Sequence, residues 1–497
     1  MRISPSAAMA VLAAAVTGAA LAIHAWHAVA TGCYVDFVTG VWLALADDLA
    51  RGVFYRDLIG PDGYGGTRYF PLFFASIAGL MRLGVAPLVS GFAVSGASAV
   101  LLVLGIRRFL LRIGLPGSYA LACAVFVLAP RFSQQALFAI KSDFLAAGLV
   151  MWGLSTMLPA FDEERPSTRS LAAPAVFFVL AASTKVTSLY APAAAVLALA
   201  LASRVRTSLR LGALVTAGLA ILVAMVAILS GGRAVESWRV LALAGADTSG
   251  WMRQLPSAFL SQVVLPSRVF GTVLAAATAA WLVTLRADGP RWLSVTLFPA
   301  TLGAAVVVLA SPGTSYTNQL TDLLAVCLVL IGWALARLPR RRPAAGFVLL
   351  LLSLAAARQS LHPVLDQELR HQAWQASAGR DEVIRVLASI DGPILSESPE
   401  LLIMAGRRPY MLDPFALRIV ARKRPDVFAD VEGKLHSRFF SAVVLMHDPE
   451  TRSGRGWYTN MDFGWPITSR ILDNYELAEL KPGLRVYRPK AVPQAAP

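Results

Sequence analysis

The sequence predicts a polytopic α-helical membrane protein with a small α/β domain at its C-terminal end. Hydrophobic residues make up 56% of the 497 and charged residues 15%, with a mean hydropathy of +0.60, far above an ordinary soluble domain. Apolar stretches recur through residues 8–357 at the lengths a bilayer of about 30 Å selects. From about residue 358 the pattern stops: His371, Arg380, Asp381, Glu382 and Arg385 follow closely, and no later run is long enough to span.

Taken in order, spans are expected at 8–31, 86–106, 115–130, 144–160, 171–184, 188–203, 211–230, 267–285, 292–310, 322–338 and 344–357, about eleven in all. The first has Arg2 ahead of an Ala-rich run, as a signal peptide would, but it is long and similar segments follow it, so it is expected to be retained. With a cytoplasmic N-terminus, strict alternation places Arg107, Arg108 and Arg112 inside, with Arg204, Arg206 and Arg210, Arg286 and Arg291, and Arg337 with Arg340 to Arg342. That is the asymmetry cytoplasmic loops show. The outer side receives 32–85, 131–143, 231–266, 311–321 and everything after 358. Arg233, Arg239 and Arg253 depart from the charge rule, and contact with an anionic ligand is one explanation. Residues 69–84, YFPLFFASIAGLMRLG, are apolar but short, and are expected to form a re-entrant or interfacial helix. In the tail, the strand-like runs 393–396 and 441–446 alternate with helical stretches at 381–390 and 415–422, the pattern of a small α/β layer.

The net charge of +15 sits in short clusters between spans, which favours membrane lipids over nucleic acid as partners. Cys33, Cys123 and Cys327 are far apart and lack metal-ligand spacing, so free core thiols are expected. Of the six histidines only His24 and His27 are near each other, in the outer half of the first span, where interfacial anchoring is expected.

Candidate chemistry gathers in the outer loops. Asp36 lies just beyond the first span, where a membrane enzyme can hold a general base; an ordinary helix end is the alternative. Val38, Val41, Trp42, Leu45 and Leu49 then repeat at helical spacing up to Gly52, predicting an amphipathic helix along the interface. Asp47 and Asp48 can each pair with Arg51. In the Gly-rich loop 55–70, Arg68 can hold a phosphate by a forked contact and Tyr69 stands beside it; Asp57 and Asp62 suit a surface turn. Lys141 and Asp143 precede a span, so Asp143 faces the compartment of Asp36, and the two carboxylates can bind a polar acceptor or a divalent cation. A helix N-terminus explains Asp143 equally well. Lys185, among hydroxyls between two short spans, suits a phosphate, and a snorkelling lysine is the alternative. Tyr316 and Asn318, in the uncharged loop 311–319, can meet sugar hydroxyls, although turn formation accounts for most of that loop. Asp322 follows at the head of the next span.

The order Asp36, then Ala46-x-x-Leu49-Ala50-x-Gly52-x-x-Tyr55, then Tyr69-Phe70-Pro71-Leu72 resembles the first outer loop of the GT-C membrane glycosyltransferases. It is most similar to bacterial relatives of the protein mannosyltransferase and aminoarabinose transferase families. Lys141-Ser142-Asp143-Phe144-Leu145 resembles their later Arg-Pro-Asp-x-Leu stretch, and 313–322 resembles their Gly-x-x-x-x-Asn-x-x-x-acid segment. The resemblance implies an inverting transferase of the bacterial inner membrane that uses a polyprenyl-phosphate-linked sugar donor and a lipid, glycan or protein acceptor. Asp36 would be the general base, and Arg68, Lys185 and an arginine of 231–266 would face the leaving phosphate. Members often carry an acid directly after the catalytic Asp; Phe37 stands there in this chain. A polytopic transporter or lipid flippase is the rival, but the candidate groups gather at one face and the two halves show no repeat.

Overall fold

The computed structural model describes residues 4–163, 166–245, 268–286, 290–310, 320–481 and 484–491. Each of the eleven expected stretches contains helix, and the chain is a multi-pass membrane protein. Among the described residues six helices are long and apolar enough to cross alone: Pro5–Thr31, Pro87–Arg112, Asp143–Phe161, Val205–Leu229, Arg291–Val308 and Pro339–Leu365. The expected span at 115–130 is instead a helix, Gly117–Phe126, that breaks and continues as Arg131–Phe138 at an angle of 69°. Pro130 stands at the second N-cap, and its fixed φ and missing N–H suit a break there. Helices at Thr168–Ala182, Val186–Leu201 and Val269–Thr284 are apolar but short.

Small residues let the long helices approach closely, the usual device where lipid supplies no hydrophobic drive between them. A β-carbon at Gly105 would lie 2.9 Å from Cβ of Met151, and one at Gly148 would lie 3.1 Å from the backbone N of Leu102, so the Pro87–Arg112 and Asp143–Met157 helices touch almost backbone to backbone. The helix Thr321–Arg337 is buried along nearly its whole length and forms the centre of the bundle.

The first loop departs from expectation. Its helix, Phe37–Ala50, is covered by protein on most of its surface, eleven of its fourteen residues being buried, where an amphipathic helix would keep an exposed face. Pro71–Arg82, twelve residues and so about 18 Å long, covers one side; Pro399–Met404 of the C-terminal region covers another. Asp47 pairs with Arg51 at 2.9 Å as expected. Asp48 does not: it takes a forked contact from Arg56, at 2.5 and 2.6 Å, and a third bond from Arg408 at 2.9 Å. Arg408 is 360 positions away in sequence, out of reach of any local spacing rule.

The C-terminal region holds a four-stranded sheet: β1 Ile394–Ser396, β2 Ala442–Leu445, β3 Tyr475–Lys481 and β4 Leu484–Pro489, in the order β1-β2-β4-β3. β1 and β2 are parallel, joined through helices, whereas β4 is antiparallel to both its neighbours. The last span reaches Leu365, past the expected end at 357. The sheet region is fastened to the first loop by backbone bonds from Tyr64 N to Tyr410 O at 2.8 Å and from Leu412 N to Tyr64 O at 3.1 Å. Gly63, at φ +107°, makes this possible, since a β-carbon there would run into the carbonyl of Tyr410.

Candidate active site

Gly32, in the left-handed conformation, ends the first helix, and Arg380 donates to the carbonyls of Thr31 and Gly32 at 2.8 and 2.9 Å. Four residues later Asp36 is the N-cap of Phe37–Ala50. Its Oδ1 accepts the Thr39 N–H at 2.9 Å, and the Thr39 hydroxyl accepts the Asp36 N–H and donates to the carbonyl of Ala139 at 2.7 Å. The cap therefore orients the carboxylate without consuming it. Oδ2 lies 3.4 Å from Nζ of Lys141, and the Asp36 side chain remains 33% exposed. The helix-end alternative is thus correct about the backbone and leaves Oδ2 outside the cap.

Lys141 follows the bent helix, and Asp143 opens the next one two residues later, within about 7 Å of chain. Asp143 accepts Lys185 Nζ at 2.7 Å, and Asp322 lies 3.6 Å from the same ammonium. The Tyr190 hydroxyl donates to the other oxygen of Asp322 at 3.1 Å. This network joins the starts of two helices, at Asp143 and Thr321, to the junction after Ala182. Asp36, Lys141, Asp143 and Lys185, spread over 150 positions, thus share one end of the bundle.

Arg68 and Tyr69 stand at the joint with the C-terminal region. The Arg68 guanidinium lies 5.0 Å from the Phe415 ring centre and 5.8 Å from that of Tyr69. Tyr69 in turn packs on Trp42 at 4.2 Å, on the helix that Asp36 caps. Burial pushes the Tyr69 phenol up to about 12; Arg68 opposes that and the negative charges of Asp413 and Asp36 add to it. Burial also raises the Asp413 carboxyl, with Arg68 pulling the other way. Tyr316, Asn318 and Arg253 lie outside the described residues.

Asp36 and Asp143 each face a lysine, Lys141 and Lys185 respectively. Among the described residues no three His, Cys, Asp or Glu side chains group as metal ligands would. His24 and His27 are buried rather than interfacial, and His24 bonds to Gln134 and to Tyr34 at 2.5 and 2.8 Å. Cys33 is exposed, while Cys123 and Cys327 are buried and free. The sequence offered no role for Tyr190, and it offered Asp322 as the head of a span and as the acid that closes the GT-C-like segment 313–322. An acid at the head of an apolar span was the available signal for Asp322; Tyr190 had none.

No sequence-family description matches the chain, and none of the curated proteins matches it by sequence. Its fold, however, matches solved structures. An Archaeoglobus fulgidus oligosaccharyltransferase superposes with a TM-score of 0.60 at 12% identity, over 93% of this chain and 72% of that one. ArnT from Cupriavidus metallidurans, solved with undecaprenyl phosphate, gives 0.51 at 13% identity, over 95% and 98%. The mycobacterial arabinofuranosyltransferase AftD gives 0.52 at 17% identity, over 96% of this chain and 41% of its own length. All three are GT-C superfamily glycosyltransferases, so the fold is that of the GT-C enzymes.

Proposed function

We propose that the chain transfers a sugar from a polyprenyl-phosphate-linked donor to an acceptor hydroxyl at the outer face of a bacterial inner membrane, with inversion. The observation that carries this is Asp36: one oxygen is fixed by the helix cap while the other faces Lys141, on a side chain that stays 33% exposed. ArnT, with undecaprenyl phosphate, and the archaeal oligosaccharyltransferase AglB, in complex with a dolichol-phosphate, support a lipid-linked donor.

The acceptor hydroxyl gives its proton to Asp36 Oδ2 as its oxygen attacks the anomeric carbon. The bond to the phosphate oxygen breaks on the opposite face and its electron pair leaves with the phosphate, which inverts the centre. Cations nearby stabilise the charge that develops there. Lys185, between two carboxylates, has the task of holding Asp143 and Asp322 in place, and Lys141, beside Asp36, and Arg68, at the end of the Gly-rich loop, are the cations assigned to the phosphate. Tyr69, Asp143, Tyr316 and Asn318 remain candidates for the sugar and acceptor.

Asp36→Asn keeps an oxygen for the cap and removes the base. Transfer from a polyprenyl-phosphate sugar in membranes carrying this variant is expected to fall by at least about a thousandfold, a range a lost general base reaches together with its charge, with donor binding retained. Full transfer by the variant would reject the assignment.

A further inference from the structure

The C-terminal region touches the helix that Asp36 caps through an acid the proposed mechanism does not use. Glu400, in the first turn of Pro399–Met404, is 4% exposed, and its Oε2 accepts no hydrogen bond. It rests on Gly40, one turn from Asp36: a β-carbon at position 40 would lie 2.5 Å from both the backbone N and Oε2 of Glu400. Oε2 thus packs against bare helix backbone, with no space for the water an ionised carboxylate needs. Among the charges acting on Glu400 are those of Asp36, across the contact, and Asp462, within its own domain, and both are negative. Two other helices touch Pro399–Met404: Gln367–Ser389, which carries Arg380, Asp381, Glu382 and Arg385, and Pro87–Arg112, whose charges are Arg107, Arg108 and Arg112 at its far end.

We propose that Glu400 is a positioning residue for Asp36: seated uncharged on Gly40, it presses the C-terminal domain onto the Phe37–Ala50 helix and holds its N-cap in place, and ionisation of Glu400 loosens that seat. The functional half of this rests on Asp36 being the base proposed above; the physical half does not. Burial pushes the Glu400 carboxyl up from 4.5 to about 8. Because the seated form is the one that binds the proton, the contact is strongest below pH 4.5. It weakens by about tenfold per pH unit as pH rises, and levels off above about 8.

The test is hydrogen–deuterium exchange on the full chain in nanodiscs between pH 6 and 9, with labelling times scaled for intrinsic exchange, comparing wild type with Glu400→Gln. Exchange within 37–50 is expected to rise in wild type by about tenfold per pH unit up to pH 8 relative to Glu400→Gln. Gly40→Ala, whose β-carbon displaces Glu400, is expected to expose the same amides at every pH. The proposal is overturned if wild type and Glu400→Gln respond to pH alike, or if Gly40→Ala is as protected as wild type. Transfer from a polyprenyl-phosphate sugar, followed in parallel, is expected to decline as pH rises to about 8 and to level off above it in wild type, and not to decline in Glu400→Gln. Asp36→Asn is expected to abolish transfer while the pH-dependent rise in exchange persists, since burial is the first cause acting on Glu400 and Asp36 a lesser one. Absence of transfer in every chain would strike the transferase function alone, and the exchange result would still decide the role of Glu400.

Discussion

Removal of Arg56 tests whether the first loop and the C-terminal domain form one unit. Arg56 and Asp48 are each 2% exposed, joined by two bonds of 2.5 and 2.6 Å. Arg56 also donates to the carbonyls of Pro409 at 2.7 Å and Asp62 at 3.1 Å. In Arg56→Met, Asp48 stays buried with only Arg408, itself 28% exposed, to balance it. Loss of one partner of a buried pair costs about 3 to 5 kcal/mol; Arg408 places this case near the lower end, at about 3 kcal/mol. That corresponds to about a hundredfold in the opening equilibrium. The amides of Tyr64 and Leu412, which bond across the joint, report that opening directly through hydrogen exchange, and should exchange about a hundredfold faster in the variant. Arg51→Met supplies the contrast, because Arg51 is 56% exposed in its pair with Asp47 and a surface pair is worth at most about 1 kcal/mol. Equal effects from the two variants, or an unchanged joint in Arg56→Met, would refute the claim that Asp48 anchors the domain.

Two further outcomes follow from buried charges. Lys185→Met leaves Asp143 and Asp322 facing each other without their shared ammonium and should destabilise the bundle by about 3 kcal/mol or more. Adding Asp143→Asn and Asp322→Asn should recover most of that loss in a thermal unfolding assay. Asp462 lies buried at 0% exposure, and burial pushes it up from 3.8 to about 6. Its folded form holds the proton more tightly, so its contribution to stability is complete below pH 3.8 and is lost as pH rises through about 6. Asp462→Asn should flatten that limb, worth on the order of 3 kcal/mol, in denaturation of the full chain followed by the C-terminal tryptophans.

Composition was enough to show a helical membrane protein, because lipid forces backbone bonds into helices and apolar length then marks each one. Counting the spans was harder, because length and apolarity do not show a bend: the stretch at 115–130 looks continuous until Pro130 turns it by 69°. In the tail, the runs at 393–396 and 441–446 announced β1 and β2 through continuous apolar side chains, both strands being buried along their whole length. β3, with Glu476 and Glu479 set among exposed apolar residues and burial only at Tyr475, lacks both the continuous apolar run and the strict alternation that mark a strand. Asp36, Lys141, Asp143 and Lys185 were legible as types of residue at one expected face. Their pairing was not, because Lys185 reaches Asp143 across 42 positions and Asp322 across 137.

The placement of glycine links these facts. Gly40 and Gly63 both stand where backbone from the C-terminal domain arrives: Glu400 N at the first and the Tyr410 carbonyl at the second. The two contacts flank the loop that carries Asp36 and Arg68 at its ends, so that loop is held from both sides by a domain more than 300 residues later in the chain. A carboxylate capping an isolated loop helix would move with the loop. Here Asp36 is fixed through Thr39 to the carbonyl of Ala139 in the bundle, and its helix is fixed through Gly40 to Glu400. A base must sit within hydrogen-bond reach, about 2.6–3.2 Å, of the hydroxyl it deprotonates, and a misplacement of about 1 Å can cost about a hundredfold. Two anchors at adjacent positions of one short helix, one to the bundle and one to the C-terminal domain, give the proposed base that precision where a flexible outer loop cannot.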